Sequence, residues 1–172
     1  KLAVADVNGD GIPDAVTANR DDNTVSILLG NGDGTFRPQT PVSTGKTPRA
    51  VAVGDFNGDG KIDLVAADQG ENTATVLLGN GDGSFASGSR QSVPAPDLRP
   101  FQTVIADLNG DGRPDIVTAN RSDNSVGVLL RNPDGSFQTK ETFATDQQPF
   151  GVAVGDLNGD GVPDIATANY AG

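Results

Sequence analysis

Carboxylates and amide oxygens recur in this chain at fixed spacing. The phrase Asp6-Val7-Asn8-Gly9-Asp10-Gly11-Ile12-Pro13-Asp14 returns from Asp55, Asp107 and Asp156, each time as D-x-N-G-D-G-x-x-D. Hard oxygens gathered on a short, glycine-bent loop suit a hard divalent cation. Ca2+, which takes six to eight oxygens at about 2.3–2.6 Å, suits them best. Asp6, Asn8 and Asp10 alternate, so a tight turn can aim all three inward, and Gly9 and Gly11 permit the curved, partly left-handed path. The backbone carbonyl of Ile12 is expected as a further ligand, and Asp14 is expected to close the cage. The same roles fall on Asp55, Asn57, Asp59, Lys61 (backbone) and Asp63, then on Asp107, Asn109, Asp111, Arg113 (backbone) and Asp115. The last set is Asp156, Asn158, Asp160, Val162 (backbone) and Asp164, which makes four expected Ca2+ sites.

The positions that vary fit this reading. The seventh residue is Ile, Lys, Arg or Val, as a backbone-only ligand with an outward side chain allows, while the ligand-type positions do not change. A metal-free Asx turn uses the same residue types, but three clustered carboxylates without a cation repel one another. An EF-hand needs Glu at its twelfth position and flanking helices. Here the twelfth residue is Thr17, Ala66, Thr118 or Thr167, and strand-like sequence such as Ile116-Val117-Thr118-Ala119-Asn120 follows. Dockerin-like loops fail on the same helical requirement.

The elements that hold these loops repeat with them. The phrase starts lie 49, 52 and 49 residues apart. A second phrase, Asn23 to Phe36, returns as Asn72 to Phe85 and, less faithfully, as Asn124 to Phe137. Phe36, Phe85 and Phe137 are expected between packed layers. The extra three residues of the middle spacing fall around Val93 to Pro100, which reads as a longer surface loop. Each unit reads as four short strands. In the second they are Ala50 to Asp55, Ile62 to Ala67, Thr73 to Leu78, and a polar strand from Phe85 onward. Asn-Gly and Asp-Gly at Asn80-Gly81-Asp82-Gly83 supply the positive φ of a hairpin. We read that turn as metal-free. No segment has a 3.6-residue period. Repeated four-stranded antiparallel units of this length predict an all-β chain of β-propeller blades, with an open stack of sheets as the alternative. The units are expected at 1–49, 50–100 and 101–150, with the first half of a fourth at 151–172, about three and a half blades. The chain is therefore expected to be part of a larger propeller or assembly.

Composition bounds the function. Of 23 acidic residues 21 are Asp, twelve of them in the four phrases, and the net charge of −11 argues against nucleic acid or an anionic membrane as partner. Four Ca2+ ions would bring −11 to −3. The absence of Cys excludes disulfides and thiolate metal sites. No run of 18 apolar residues is present, so no membrane insertion is expected. Without His or Cys, imidazole bases and thiol nucleophiles are unavailable, and the carboxylates belong to repeats whereas an active site is usually unique. No enzyme is expected. A paired-carboxylate glycosidase finds no unrepeated pair.

The phrase, preceded by Val51-Ala52-Val53-Gly54 or Val152-Ala153-Val154-Gly155, resembles the FG-GAP/VCBS-type repeat, the blade of integrin α-subunit-like propellers and of many bacterial surface proteins. The resemblance covers nearly the whole chain. The Phe-Gly pair occurs only at Phe150-Gly151 and the Gly-Ala-Pro triplet is absent, which places the chain nearer the VCBS branch. The resemblance implies a calcium-stabilised, extracellular or cell-surface module for structural or adhesive interactions with a protein or glycan. Two alternatives stand beside it. A carbohydrate-binding lectin would want aromatic faces, and the chain has one Tyr (Tyr170) and no Trp. A subunit of a polymeric surface filament would self-associate through its incomplete blades. Asn120-Arg121-Ser122 matches a glycosylation sequon, a single short match that chance explains.

Overall fold

The computed structural model describes residues 1–38, 40–86, 91–94, 100–139 and 141–170, with side chains undescribed at 91–94. Short β-branched and alanine-rich runs bounded by Gly, Asn and Asp turns form fourteen strands among the described residues, and no helix. They are β1 (Leu2–Ala5), β2 (Asp14–Asn19), β3 (Thr24–Leu28), β4 (Thr40–Ser43), β5 (Pro48–Gly54), β6 (Asp63–Asp68) and β7 (Thr73–Leu77). After these come β8 (Gln91–Pro94), β9 (Pro100–Ala106), β10 (Asp115–Asn120), β11 (Ser125–Leu129), β12 (Glu141–Ala144), β13 (Pro149–Gly155) and β14 (Asp164–Asn169). They pair in chain order into three four-stranded antiparallel sheets and a final two-stranded one. The first strands of successive sheets lie beside one another, as in stacked propeller blades.

Period-two alternation explains the packing. Leu64 and Ala66 of β6 face Val7, Val16, Val25 and Ile27 of the first blade. Their neighbour Val65 faces the other way, toward Ile116 and Leu129 of the third. Val117, Ala119, Val126 and Val128 then meet Val152 of β13. Every core is thus shared by two blades. Strands β6 and β10 are buried at all six positions, whereas β2, with one face uncovered, alternates. Removing the Leu64 side chain beyond Cβ would cost about 2–5 kcal/mol.

Several expectations shift. The fourth strand of the second blade does not start at Phe85, which makes an isolated bridge to Gly79; the strand is β8, from Gln91. A hairpin must first turn at Gly81 and Gly83, both at positive φ. Val93 and Pro94 therefore belong to a strand and Pro100 opens β9, leaving only 95–99 of the expected loop, outside the described residues. Strands β5, β9 and β13 start one or two residues before the expected unit boundaries at 50, 101 and 151. Phe85 and Phe137 pack onto the cores shared with the preceding blades, as expected. Phe36, in the first blade described, is 47 % exposed. Asn120 of the sequon is fully buried; it donates to Ser125 Oγ and accepts from Thr118 Oγ1, so it is no acceptor for a glycan.

Candidate metal centre

The four Asp-rich loops join β1 to β2, β5 to β6, β9 to β10 and β13 to β14, all at the same end of their blades. Each is folded by its own side chains. In the second, Asp55 Oδ1 accepts the N–H groups of Gly58 and Asp59 at 2.7 and 3.2 Å, and Oδ2 accepts that of Gly60 at 2.7 Å. Asn57 Oδ1 accepts from Asp59 N at 2.9 Å, and Asp59 Oδ1 from Lys61 N at 2.9 Å. Asp107 and Asp156 repeat the first pattern in full, Asp6 repeats its bonds from the fifth and sixth residues, and Asp10, Asp111 and Asp160 repeat the last. These side chains can curl over their own backbone because Gly58 and Gly60 sit at φ 78° and 81°, a region closed to most L-residues. The N–H donors hold the Asp59, Asp107 and Asp156 carboxyls below the usual carboxylate range, as does the Asn8 amide, with Ile12 N–H, at Asp10.

The second residue of the phrase fixes the loop to the fold, which its variability in sequence concealed. Val7 and Phe56 are buried in the cores shared with the following blade, and Leu108 packs against the next; Leu157, with no following blade here, is 69 % exposed. The ninth residue bolts that anchor down. Asp63 is fully buried, and its oxygens accept Phe56 N–H and Gly79 N–H, both at 2.8 Å. Asp14 does the same for Val7 and Gly30, and Asp115 for Leu108 and Arg131, while Asp164 holds Leu157. One carboxylate thus ties the loop to the end of the third strand. Burial pushes the Asp63 and Asp115 carboxyls up against the pull of these N–H groups; nearby Asp59 and Asp55, and Asp111 and Asp107, push the same way.

A hard cation fits the donor set of each loop. Asp6, Asn8 and Asp10 each give at most part of their lone-pair capacity to N–H groups. The same holds for Asp55, Asn57 and Asp59, for Asp107, Asn109 and Asp111, and for Asp156, Asn158 and Asp160. Among the described residues no three carboxylates form a metal-holding group by themselves. The ninth-position aspartates accept two backbone N–H groups at most, fewer than Asp55 does, and so keep lone pairs with which to share the ion with the loop's amide oxygen and a carbonyl. The seventh side chains, expected to point away, differ among themselves. Lys61 Nζ lies 3.8 Å from Asp59 and the Arg113 guanidinium binds Asp111, whereas Val162 is exposed. Arg37 serves Asp10 at 3.9 Å. The second repeated phrase forms a hairpin turn in which Asp33 Oδ1 accepts both Thr35 N–H and its hydroxyl, with Asp82–Ser84 and Asp134–Ser136 alike.

Two repeated features escaped the sequence reading. Asn23 and Asn124 take left-handed φ of 57° and 52°, and their Oδ1 atoms accept the N–H of Thr47 and Gln148, each 24 residues on, where the next blade begins. Opposite the Asp loops, β5, β9 and β13 each carry a one-residue bulge, at Arg49, Phe101 and Phe150. The signal for these was the proline before each: Pro48, Pro100 and Pro149.

Comparison with curated protein sequences returns no match. Among solved structures, 30% identity over 95% of this chain links it to a lectin of Agrocybe aegerita that recognises non-reducing terminal N-acetylglucosamine, with a TM-score of 0.59; the match spans 45% of the lectin chain. BBS1N, solved in complex with ARL6DN, has 17% identity and a TM-score of 0.59 over 98% of this chain and 50% of its own. The V. cholerae biofilm matrix protein Bap1 has 19% identity and a TM-score of 0.53, over 96% of this chain and 27% of its own. The latter two show the fold alone. The chain spans about half or less of each of these structures. The FG-GAP-like repeat matches three times in overlapping windows, at 6–66, 55–118 and 107–167. With the loops, bolts and blades in the same register as those windows, the chain belongs to the FG-GAP-like repeat family.

Proposed function

We propose that this chain is a calcium-braced, non-catalytic recognition module that works outside the cell and presents propeller loops to a protein or glycan. The observation that carries this reading is the fourfold recurrence of one loop, with the same internal hydrogen bonds, at one end of every blade. Asp6, Asn8 and Asp10, and their counterparts, would hold the ion, with a carbonyl and water completing its shell. Bound Ca2+ would neutralise the clustered carboxylates and so lock the link between first and second strands. An ion at a hundredfold excess over its Kd adds about 2.7 kcal/mol per site, on the order of 5–10 °C in Tm for a domain of this size. Thermal unfolding in millimolar calcium, in EDTA, and with magnesium as control tests it. Loss of Tm in EDTA, restored by calcium and not by magnesium, is the expected result; an unchanged Tm refutes the reading.

A glycan-binding role gains weight from the likeness to the Agrocybe aegerita lectin. A glycan array probed with the calcium-loaded protein, N-acetylglucosamine-terminated glycans included, separates this role from protein adhesion.

A further inference from the structure

On a chain of net charge −11, three of the twelve Lys and Arg side chains converge on one ring. Lys1 Nζ lies 5.2 Å from the Phe101 ring centroid, and the Arg49 and Arg121 guanidiniums lie at 5.6 and 5.7 Å. Arg121 also lies 5.9 Å from the ring of Tyr170, which is 74 % exposed. The bulges build this cluster. Arg49 and Phe101 are the extra, unpaired residues of β5 and β9, and a bulge re-aims its side chain.

These cations are held by neutral oxygens. Arg49 Nε donates to Gln69 Oε1 at 2.9 Å, Arg121 Nη2 to Gln148 Oε1 at 2.9 Å, and Lys1 Nζ to Gln102 Oε1 at 2.8 Å and the Phe150 carbonyl at 3.1 Å. Among the described residues no carboxylate bonds either guanidinium. Burial lowers the affinity of Arg49 for its proton, and nearby Arg20 and Arg121 lower it further, against a weaker pull from Asp21. With Nε engaged, Arg49 keeps its paired Nη edge for a ligand. A polar recess opens here, lined by Arg49, Arg121, Ser122, Asn124 and Gln148, and the exposed Tyr170 adjoins it through Arg121.

We propose that this recess binds the carboxylate of an acidic sugar of the uronate type. The guanidinium edge matches a carboxylate in a bidentate pair, the amides and hydroxyl serve sugar hydroxyls, and Tyr170 offers an apolar face to the pyranose ring. The proposal deepens the recognition-module reading by naming a ligand class. It lies at the end of the blades opposite the Asp loops and needs no metal.

NMR titration of the calcium-saturated protein at low salt, with methyl β-glucuronide, methyl β-glucoside, acetate and an Asp-rich peptide, tests it. The glucuronide is expected to saturate shifts at Arg49, Arg121 and Gln148, binding about tenfold tighter than glucoside or acetate. Arg49→Gln with Arg121→Gln should abolish those shifts. Arg121→Lys, which keeps the charge and loses the fork, should weaken them severalfold. Unchanged calcium-dependent Tm in each variant establishes that the fold persists. Equal binding of glucoside, acetate matching the glucuronide, tighter binding of the peptide, or no saturation with the glucuronide in the tens of millimolar overturns the proposal. A calcium-insensitive Tm with glucuronide binding retained would instead sink the calcium reading alone.

Discussion

Replacing Asp63 by Asn isolates what the ninth-position carboxylate does. Both its oxygens accept buried backbone N–H groups at 2.8 Å, one from the loop at Phe56 and one from Gly79. Hydrogen bonds to a charged acceptor contribute about 1.5–3 kcal/mol each. Asparagine has the same shape but offers one acceptor, and its NH2 faces an N–H donor. One bond is lost and one buried donor left unsatisfied, while relief of the buried charge offsets part of the cost. The expected net loss is about 2–4 kcal/mol, a large fraction of the stability of an ordinary domain. Urea unfolding followed by circular dichroism should show the midpoint falling by about 1–2 M, taking a slope near 2 kcal/mol/M. Because the bolt joins backbone to backbone, the loss should be nearly equal in calcium and in EDTA, and the Phe56 and Gly79 amides should exchange faster in both. A loss under about 1 kcal/mol in EDTA, or one confined to calcium, would refute the bolt and return Asp63 to a mainly metal-ligating role.

The third loop should bind calcium more tightly when Arg113 is replaced by Ala. An exposed ion pair contributes up to about 1 kcal/mol, so freeing Asp111 should raise affinity about two- to fivefold in a terbium or calcium titration, with no change refuting the competition. Asn124→Ala should destabilise by about 1–2.5 kcal/mol, combining the left-handed backbone with the lost bond to Gln148 N–H, and Asn124→Gly should recover the backbone part. Thr35, Ser84 and Ser136 hold the Asp33, Asp82 and Asp134 carboxyls below the usual range. With the folded value depressed, the stabilisation they give is present above the unfolded value of about 3.9 and is lost as pH falls through the lower folded value. Amide exchange at Thr35, Ser84 and Ser136, referenced to the intrinsic rate, should lose its protection only in that acid range.

Much of this architecture was legible because the repeat writes each element several times. Apolar runs such as Asp115–Asn120 mark strands covered on both faces, and Asn-Gly and Asp-Gly mark the hairpins. Other features depend on pairing that no single strand displays. Pro48 hints at a break before Arg49, but the bulge itself is defined by Pro48 and Ala50 standing opposite the adjacent residues Asp68 and Ala67. Phe36, Phe85 and Phe137 occupy one repeat position, yet their burial differs because it is set by the blade next door. Asp63 reads as a ligand by residue type, while its place at the start of β6, within reach of Gly79 N–H, gives its oxygens to the backbone.

The bolt bears on how such repeats age. On the proposed reading Asp55 and Asp59 would answer to the calcium supply of the surroundings, whereas Asp63 bonds two peptide groups of its own blade, Phe56 N–H and Gly79 N–H. A copy that drifted in calcium-poor conditions could let the first two go while the third remained, a vestige of the loop kept by the chain's own amides. The last letter of the phrase would then report the fold, and the earlier Asp, Asn and Asp would report whether a given blade holds the proposed ion.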